Sequence, residues 1–439
     1  GPILTDANNV TVTIDANFAA ETIYLEGDVT LTEDMEINRP IVVREGVSAV
    51  LNLNGHNITV NHNSGVTAES EGIIVYGDLT IEGEGTIEAS SRAIWARGNT
   101  GAKVTINGGN FIGAKSDSEV IYASGNGKIE INGGTFEAKT MSTGFTPHQY
   151  AVLNLHNNGK DGCDIVVKGG SFKNFNPADN VSENPKHNFC AEGCVVEADG
   201  DWFNVIYDPY YGYTKVANAD ELTNAFNTAT ADINIVFLND IEGNVELNNT
   251  ILNNTNGKIT INGDGKTYTG AMILKSNVTF KNVNFDGKGL INDYAITTRG
   301  TNYLTIEDCT AKNYGYGFVQ LASGTVLTTV KNVTVSNMNY GVKVDYSTAV
   351  VLENADITVG VAAVLNSNYG EKLITIKNSK LNILGTWVRN NTVKTNYVFE
   401  GNNSIDTFII EAALDNFKLA AGATLTAPNE ITVTTVDGY

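Results

Sequence analysis

The side chains able to carry chemistry in this sequence are few and unevenly placed. All five histidines (His56, His62, His148, His156 and His187) precede residue 190, and there are six arginines: Arg39, Arg44, Arg92, Arg97, Arg299 and Arg389. Neither an Asp-Asp dipeptide nor an Arg-x-Lys occurs. A cation beside converging carboxylates can move a proton, and Arg299, Asp345 and Lys288 are the candidates for such a cluster, with Asp286 and Asp293 on the same connection. A second constellation is aromatic. RAIWARGN (92–99) aligns with EVIYASGN (119–126), turning Ile94 and Ile121 one way and Trp95, Tyr122 and Arg97 the other. On strands about 4.8 Å apart the two rings would lie side by side as a flat shelf for a sugar ring. His148 and His156 lack an acidic or cysteine partner at ligand spacing, so they read as loop residues and no metal site is expected.

These residues need a scaffold, and residues 278–381 describe one. VTFKNVNF (278–285), LTIEDCTA (304–311), TTVKNVTV (328–335), VVLENADI (350–357) and ITIKNSKL (374–381) lie over one another. Asn282, Asp308, Asn332, Asn354 and Asn378 recur at spacings of 26, 24, 22 and 24. Each line alternates apolar and polar residues, the period of a strand with one buried face. A unit this short cannot bury that face alone, so the copies must stack. The fold class expected is all-β: parallel β-helix solenoids in which the polar column is a ladder of side-chain amides at a turn. Aligning YAITTRG, YGFVQLA, YGVKVDY and VAAVLNS puts Arg299, Leu321, Asp345 and Asn366 in one outward column. Its mixed charges and the interrupting Leu321 are also the pattern of a solvated face.

An earlier array has its own signature. VTINGGNF (104–111), IEINGGTF (129–136) and IVVKGGSF (165–172) repeat, with LTIEGEGTIEA (79–89) a looser copy and extra loop length around 141–150. Short strands are expected before it at 10–14, 22–25, 29–37 and 40–43, then a strand, a tight Asn54-Gly55 turn and a strand over 49–60. The polar stretch 176–189 and the tyrosine-rich run after residue 207 mark a boundary. The expected organisation is a first solenoid over 1–207, a linker at 208–216 and a second solenoid over 217–439. NADELTNAFNTA (218–229) is the one convincing helix: Leu222, Ala225, Phe226 and Ala229 share a face, with Asn218 and Glu221 placed as a capping box. Such a helix would plug the open end of the second solenoid.

The formal charge of −21 argues against nucleic acid and offers no basic stripe to an anionic membrane. No apolar run reaches 18 residues, so no transmembrane segment is expected. Four cysteines are too few for a disulfide scaffold. Cys309 aligns with core positions, and Cys190 and Cys194 could bridge across a loop. The start at Gly1-Pro2 suggests a trimmed, exported chain whose leader has been removed.

LNLNGHNI (51–58), ANADELTNAF…NIVFLNDIE (217–242) and GGSFKNFNPADN…NFCAEGC…DGDWFNVI (169–206) resemble secreted, pectin-lyase-like right-handed β-helix proteins of gut bacteria, as two tandem modules covering nearly the whole chain. That fold hosts enzymes, adhesins and fibres alike. What the resemblance implies for hydrolases, an Asp–Asp pair, a His and an Arg-x-Lys, is missing here. What it implies for lyases is carboxylates on calcium with an Arg or Lys base, and Arg299, Asp345 and Lys288 would have to supply it. The function expected is therefore non-catalytic binding of a polysaccharide or host glycan at the cell surface, through Trp95, Tyr122 and Arg97, by a monomer without a cofactor. The alternatives are a polysaccharide lyase or hydrolase, with calcium in the lyase case, and a structural spacer.

Overall fold

The computed structural model describes residues 3–4, 22–60, 71–115, 119–144, 146–181, 188–366, 372–383, 395–405, 415–426 and 434–436. The strand expected at 10–14, the first part of a strand expected at 430–436, His62, His187 and Arg389 lie outside these. The chain divides into two compact units, Gly1–Tyr211 and Gly212–Tyr439. Each is a parallel β-solenoid in which a strand pairs with its counterpart one coil away.

In the first unit three sheets of seven, eight and six strands surround the core. Ile41–Val43, Ile73–Val75, Ile94–Ala96, Ile121–Ala123 and Leu153–Leu155 stack in register, each sending its flanking residues inward. The Gly-Gly repeats also stack as the sequence aligned them: Val104, Ile129 and Ile165 in one column, Phe111, Phe136 and Phe172 in another. The three phenyl rings form a pile inside the coil, with centroids 5.1 and 4.8 Å apart. Glycine is required beside them. Gly134 turns at φ +99°, and a Cβ on Gly169 would stand 2.2 Å from the Asn132 carbonyl of the coil beneath. Asn54-Gly55 is a tight turn, with φ of 51° and 80°, but it does not close a hairpin. Ser48–Asn52 joins the six-stranded sheet and Ile58–Val60 the eight-stranded one, so the turn is a corner of the coil. The true hairpin comes last: Cys194–Asp199 pairs antiparallel with Trp202–Tyr207, which closes the sheet against Ser171–Lys173.

The second unit starts within the expected linker, because Thr214–Val216 pairs with Ile233–Phe237. Helix α1 (Ala219–Thr228) follows. The Asn218 side chain accepts from the Glu221 N–H at 2.9 Å, and the Glu221 carboxylate accepts from the Ala217 N–H, one residue beyond the usual box. Leu222 and Phe226 are buried against Ile235, Phe237 and Leu247, so the helix seals the apolar end of the coil. A second helix, α2 (Thr250–Thr255), escaped the sequence reading because six residues carry too little periodicity. Fully buried Asn249 joins the two helices. It caps α2 by accepting from the Leu252 N–H at 2.9 Å, donates its amide to the Phe226 and Ala229 carbonyls at 2.8 Å, and donates its backbone N–H to Ser276 Oγ.

Above the helices the coils stack as the five lines predict. All five column residues have left-handed φ between 48° and 55°, a conformation that asparagine and aspartate tolerate best after glycine. The amide ladder is continuous through three of them: Asn332 Nδ2 donates to Asp308 at 3.0 Å, and Asn354 Nδ2 to Asn332 Oδ1 at 2.8 Å. At Asn378 the partner is backbone instead: the Asn402 N–H donates to Asn378 Oδ1 at 2.9 Å. One position before this column runs a second, charged one. Lys281, Glu307, Lys331, Glu353, Lys377 and Glu400 pair rung to rung with alternating sign.

Two substitutions separate the roles. Asn332→Ala loses the ladder bonds and strains a left-handed residue, whereas Asn332→Gly loses only the bonds. Denaturant melts are expected to place the alanine variant about 1 kcal/mol below the glycine variant; equal stability would remove the conformational argument. Asn249→Ala strands two helix carbonyls and a cap, and is expected to cost about 3 kcal/mol by the same measurement.

Candidate functional site

The first unit presents the aromatic constellation. Trp95 pairs with Tyr122 across adjacent strands, and both rings lie outside the core to which Ile94 and Ile121 belong. The flat shelf, however, does not form. The rings meet edge to face, with centroids 5.6 Å apart at 61°, as ring quadrupoles favour. Tyr122 is only 7% exposed. The residue responsible is Arg92, whose guanidinium lies over both rings, 4.8 Å from Trp95 and 4.4 Å from Tyr122. Two carboxylates hold it there: Nη1 donates to fully buried Glu71 at 2.9 Å, and Nε stands 3.2 Å from Glu119. Asn154 Nδ2 donates to Glu119 in turn, at 3.2 Å. The exposed Arg97 covers the Trp95 ring at 4.3 Å, and the indole N–H reaches Ser124 Oγ at 2.8 Å. The result is an arginine–aromatic stack in which Arg97 is exposed, Trp95 and Arg92 are half-buried and Tyr122 is buried. Sequence alignment found the side on which the rings lie but not their cover, because Glu71 and Arg92 come from the corners before the strands.

In the second unit the acid–base candidates do not form a common column. The register differs by one residue from the start of the strand: Tyr294 pairs with Gly317, not Tyr316, so Thr298 faces Leu321, and a bulge after Thr298 then sets Arg299 opposite Ser323. Leu321 then pairs with Val344, and Val344 with Asn366. Arg299, Asp345 and the Leu321 line thus belong to different columns, and Leu321 is a core residue. The outward column is Thr297, Gln320, Lys343 and Leu365. Asp345 accepts from Gln320 Nε2 at 3.0 Å and lies 4.0 Å from Lys343 Nζ. Lys288 is drawn the other way, its ammonium 3.0 Å from Glu242.

Lys288 does border a groove of about 860 Å³, with Asp286, Asn313, Asn337 and Asn339 along it and Met338 in its floor. Asn313 and Asn337 turn at φ 65° and 54° and form a second amide ladder, absent from the sequence reading. Asn337 Nδ2 donates to Asn313 at 2.7 Å, and Asn313 Nδ2 to Asp286 at 2.9 Å. Burial alone would raise the Asp286 carboxyl; donation by Asn313 and by the Lys288 N–H outweighs it, and the group sits below the ordinary carboxylate range. Tyr314 is buried and donates to the Gly270 carbonyl at 2.9 Å, whereas exposed Tyr316 packs on Tyr294.

The remaining candidates are dispersed. His156 lies 3.6 Å from Asp161 in an exposed turn. Cys309 is a core thiol pushed up to about 12 by burial. Cys190 and Cys194 are both free, and burial, then the neighbouring Cys194, pushes Cys190 up to about 11. Among the described residues no cluster of three or more His, Cys, Asp or Glu could hold a metal, and no helix is long and apolar enough to cross a membrane. No family profile matches this sequence, and no curated protein matches it.

Arg92 is expected to be structural and Arg97 dispensable to the fold. Arg92→Ala leaves Glu71 buried without its counter-charge and should cost about 3–5 kcal/mol, whereas Arg97→Ala should cost less than about 1 kcal/mol. Comparison of their chemical denaturation midpoints decides it, and equal midpoints would show that Arg92 does not organise the stack.

Proposed function

We propose that this protein is an exported or cell-surface solenoid that binds glycan without transforming it. The observation that carries the reading is the groove along Asp286, Asn313, Asn337 and Asn339. Carboxamides donate and accept at once, as sugar hydroxyls do, and the coil holds them in a rigid row. The groove is polar and open rather than a closed apolar pocket, which favours a hydroxylated ligand over a lipid or a drug-like one. Catalysis is disfavoured by the routes its candidate groups take: Lys288 to Glu242, Asp345 to Gln320 and Lys343, and Arg299 onto another column. Trp95 and Arg97 are the accessible aromatic and cationic contacts of the first unit, with Tyr122 beneath them as support.

The test is a glycan array together with a uronic-polysaccharide depolymerisation screen, with and without calcium. Retention without product is expected, weakened about tenfold or more in a Lys288→Ala, Asn339→Ala variant of unchanged melting temperature. Unsaturated product that disappears in Arg299→Ala would replace this reading with a lyase. Neither retention nor product would leave a spacer.

A further inference from the structure

A second groove, of about 640 Å³, follows the other turn of the same coils. One wall is the amide column Asn332, Asn354 and Asn378, followed by Asn402 one residue past the column position; the other is Thr334, Asp356, Lys380, Ser404 and Thr426, with Val333, Ala355 and Ser379 between them. Thr334, Asp356, Lys380 and Ser404 stand over one another by backbone pairing, so each coil repeats the same two-sided polar step. From this we infer that the groove is a binding site for a linear, uncharged polysaccharide lying along the stack, with one sugar residue addressed by each coil. The inference rests on the glycan-binding reading and adds to it a place and a ligand class.

Three features select that occupant. The first is repetition: coils follow one another at about 4.8 Å, close to the advance of one pyranose along an extended chain, whereas a compact ligand would gain nothing from a polar step recurring on each coil. The second is donor and acceptor balance. In the ladder one amide hydrogen of Asn332 and one of Asn354 are used; an amide has two, and the second remains for a ligand hydroxyl. The third is charge. In a chain of net charge −21 the groove carries one acid, Asp356, and one base, Lys380, on neighbouring coils, and is otherwise neutral. A polyuronate would bring a carboxylate to every coil, to meet a single lysine and be repelled by Asp356. An extended peptide is a poorer match, since it adds to a free strand edge, and here each wall strand is already paired with its neighbours.

The experiment titrates the whole chain with cello-, manno- and xylo-oligosaccharides of increasing length, with oligogalacturonides of the same lengths, and with an extended polar peptide. Two variants are compared with the parent: Thr334→Ala, Asp356→Ala, Lys380→Ala, which spares the left-handed turn residues, and the Lys288→Ala, Asn339→Ala variant of the first groove. Affinity for a neutral series is expected to climb with length and to fall about tenfold or more in the triple variant, with its circular dichroism and melting temperature retained. Glycan binding that ignores the triple variant would overturn this site and leave the general reading standing. Tighter binding of oligogalacturonides, or of the peptide, would overturn the ligand class. Absence of binding to any glycan would remove both this inference and the reading it rests on.

Discussion

Parallel stacking at one strand spacing governs everything else in this molecule. A strand in such a coil can satisfy its backbone only against the coil before and after it, so each side chain faces the same position of its neighbour at about 4.8 Å. Like must tolerate like. Apolar columns meet the condition by burial, and Phe111, Phe136 and Phe172 meet it by lying almost parallel. Amides meet it by donating to one neighbour and accepting from the other, as Asn332 does between Asp308 and Asn354. In the charged column beside them the signs alternate instead.

That alternation adds specificity. Lys281, Glu307, Lys331, Glu353, Lys377 and Glu400 keep opposite signs on every adjacent pair of coils, and separations of 3.9 Å for Lys281–Glu307 and 4.0 Å for Lys377–Glu353 mark loose, solvated pairs. Exposed pairs of this kind stabilise little. Their effect is on alternatives: a stack that skipped one coil would place lysine on lysine and glutamate on glutamate, which strands penalise. The apolar columns, nearly identical from coil to coil, could not make that distinction.

The same constraint explains where function can lie. Side chains within a strand are committed to their columns, whereas the corners are freer, and both grooves lie along corners. Corners also supply Glu71, Arg92 and Glu119, which turn an aromatic pair into a clamped stack. A ligand surface here is a row of turn residues repeated by the coil, with its polarity set by asparagine's tolerance of left-handed φ.

By itself the sequence determined the strands, their stacking partners wherever the period was regular, the capped helix α1 and the turn ladder, because a period of two within strands and of some two dozen residues between them is a local property. The charge alternation stood in the same five lines and needed only the signs to be read down the column. Tertiary structure decided what periodicity does not encode. Tyr294 pairs with Gly317 rather than Tyr316, and that one-residue slip moved Arg299 out of the column assigned to it, since a shift of one residue turns every side chain of a strand to the other face. Asn54-Gly55 became a corner because its two strands found partners in different sheets. Tyr122 lost its exposure to Arg92, a residue distant from it in the chain that only the coil brings overhead, and the two grooves arose from residues far apart in sequence that the rung spacing sets side by side.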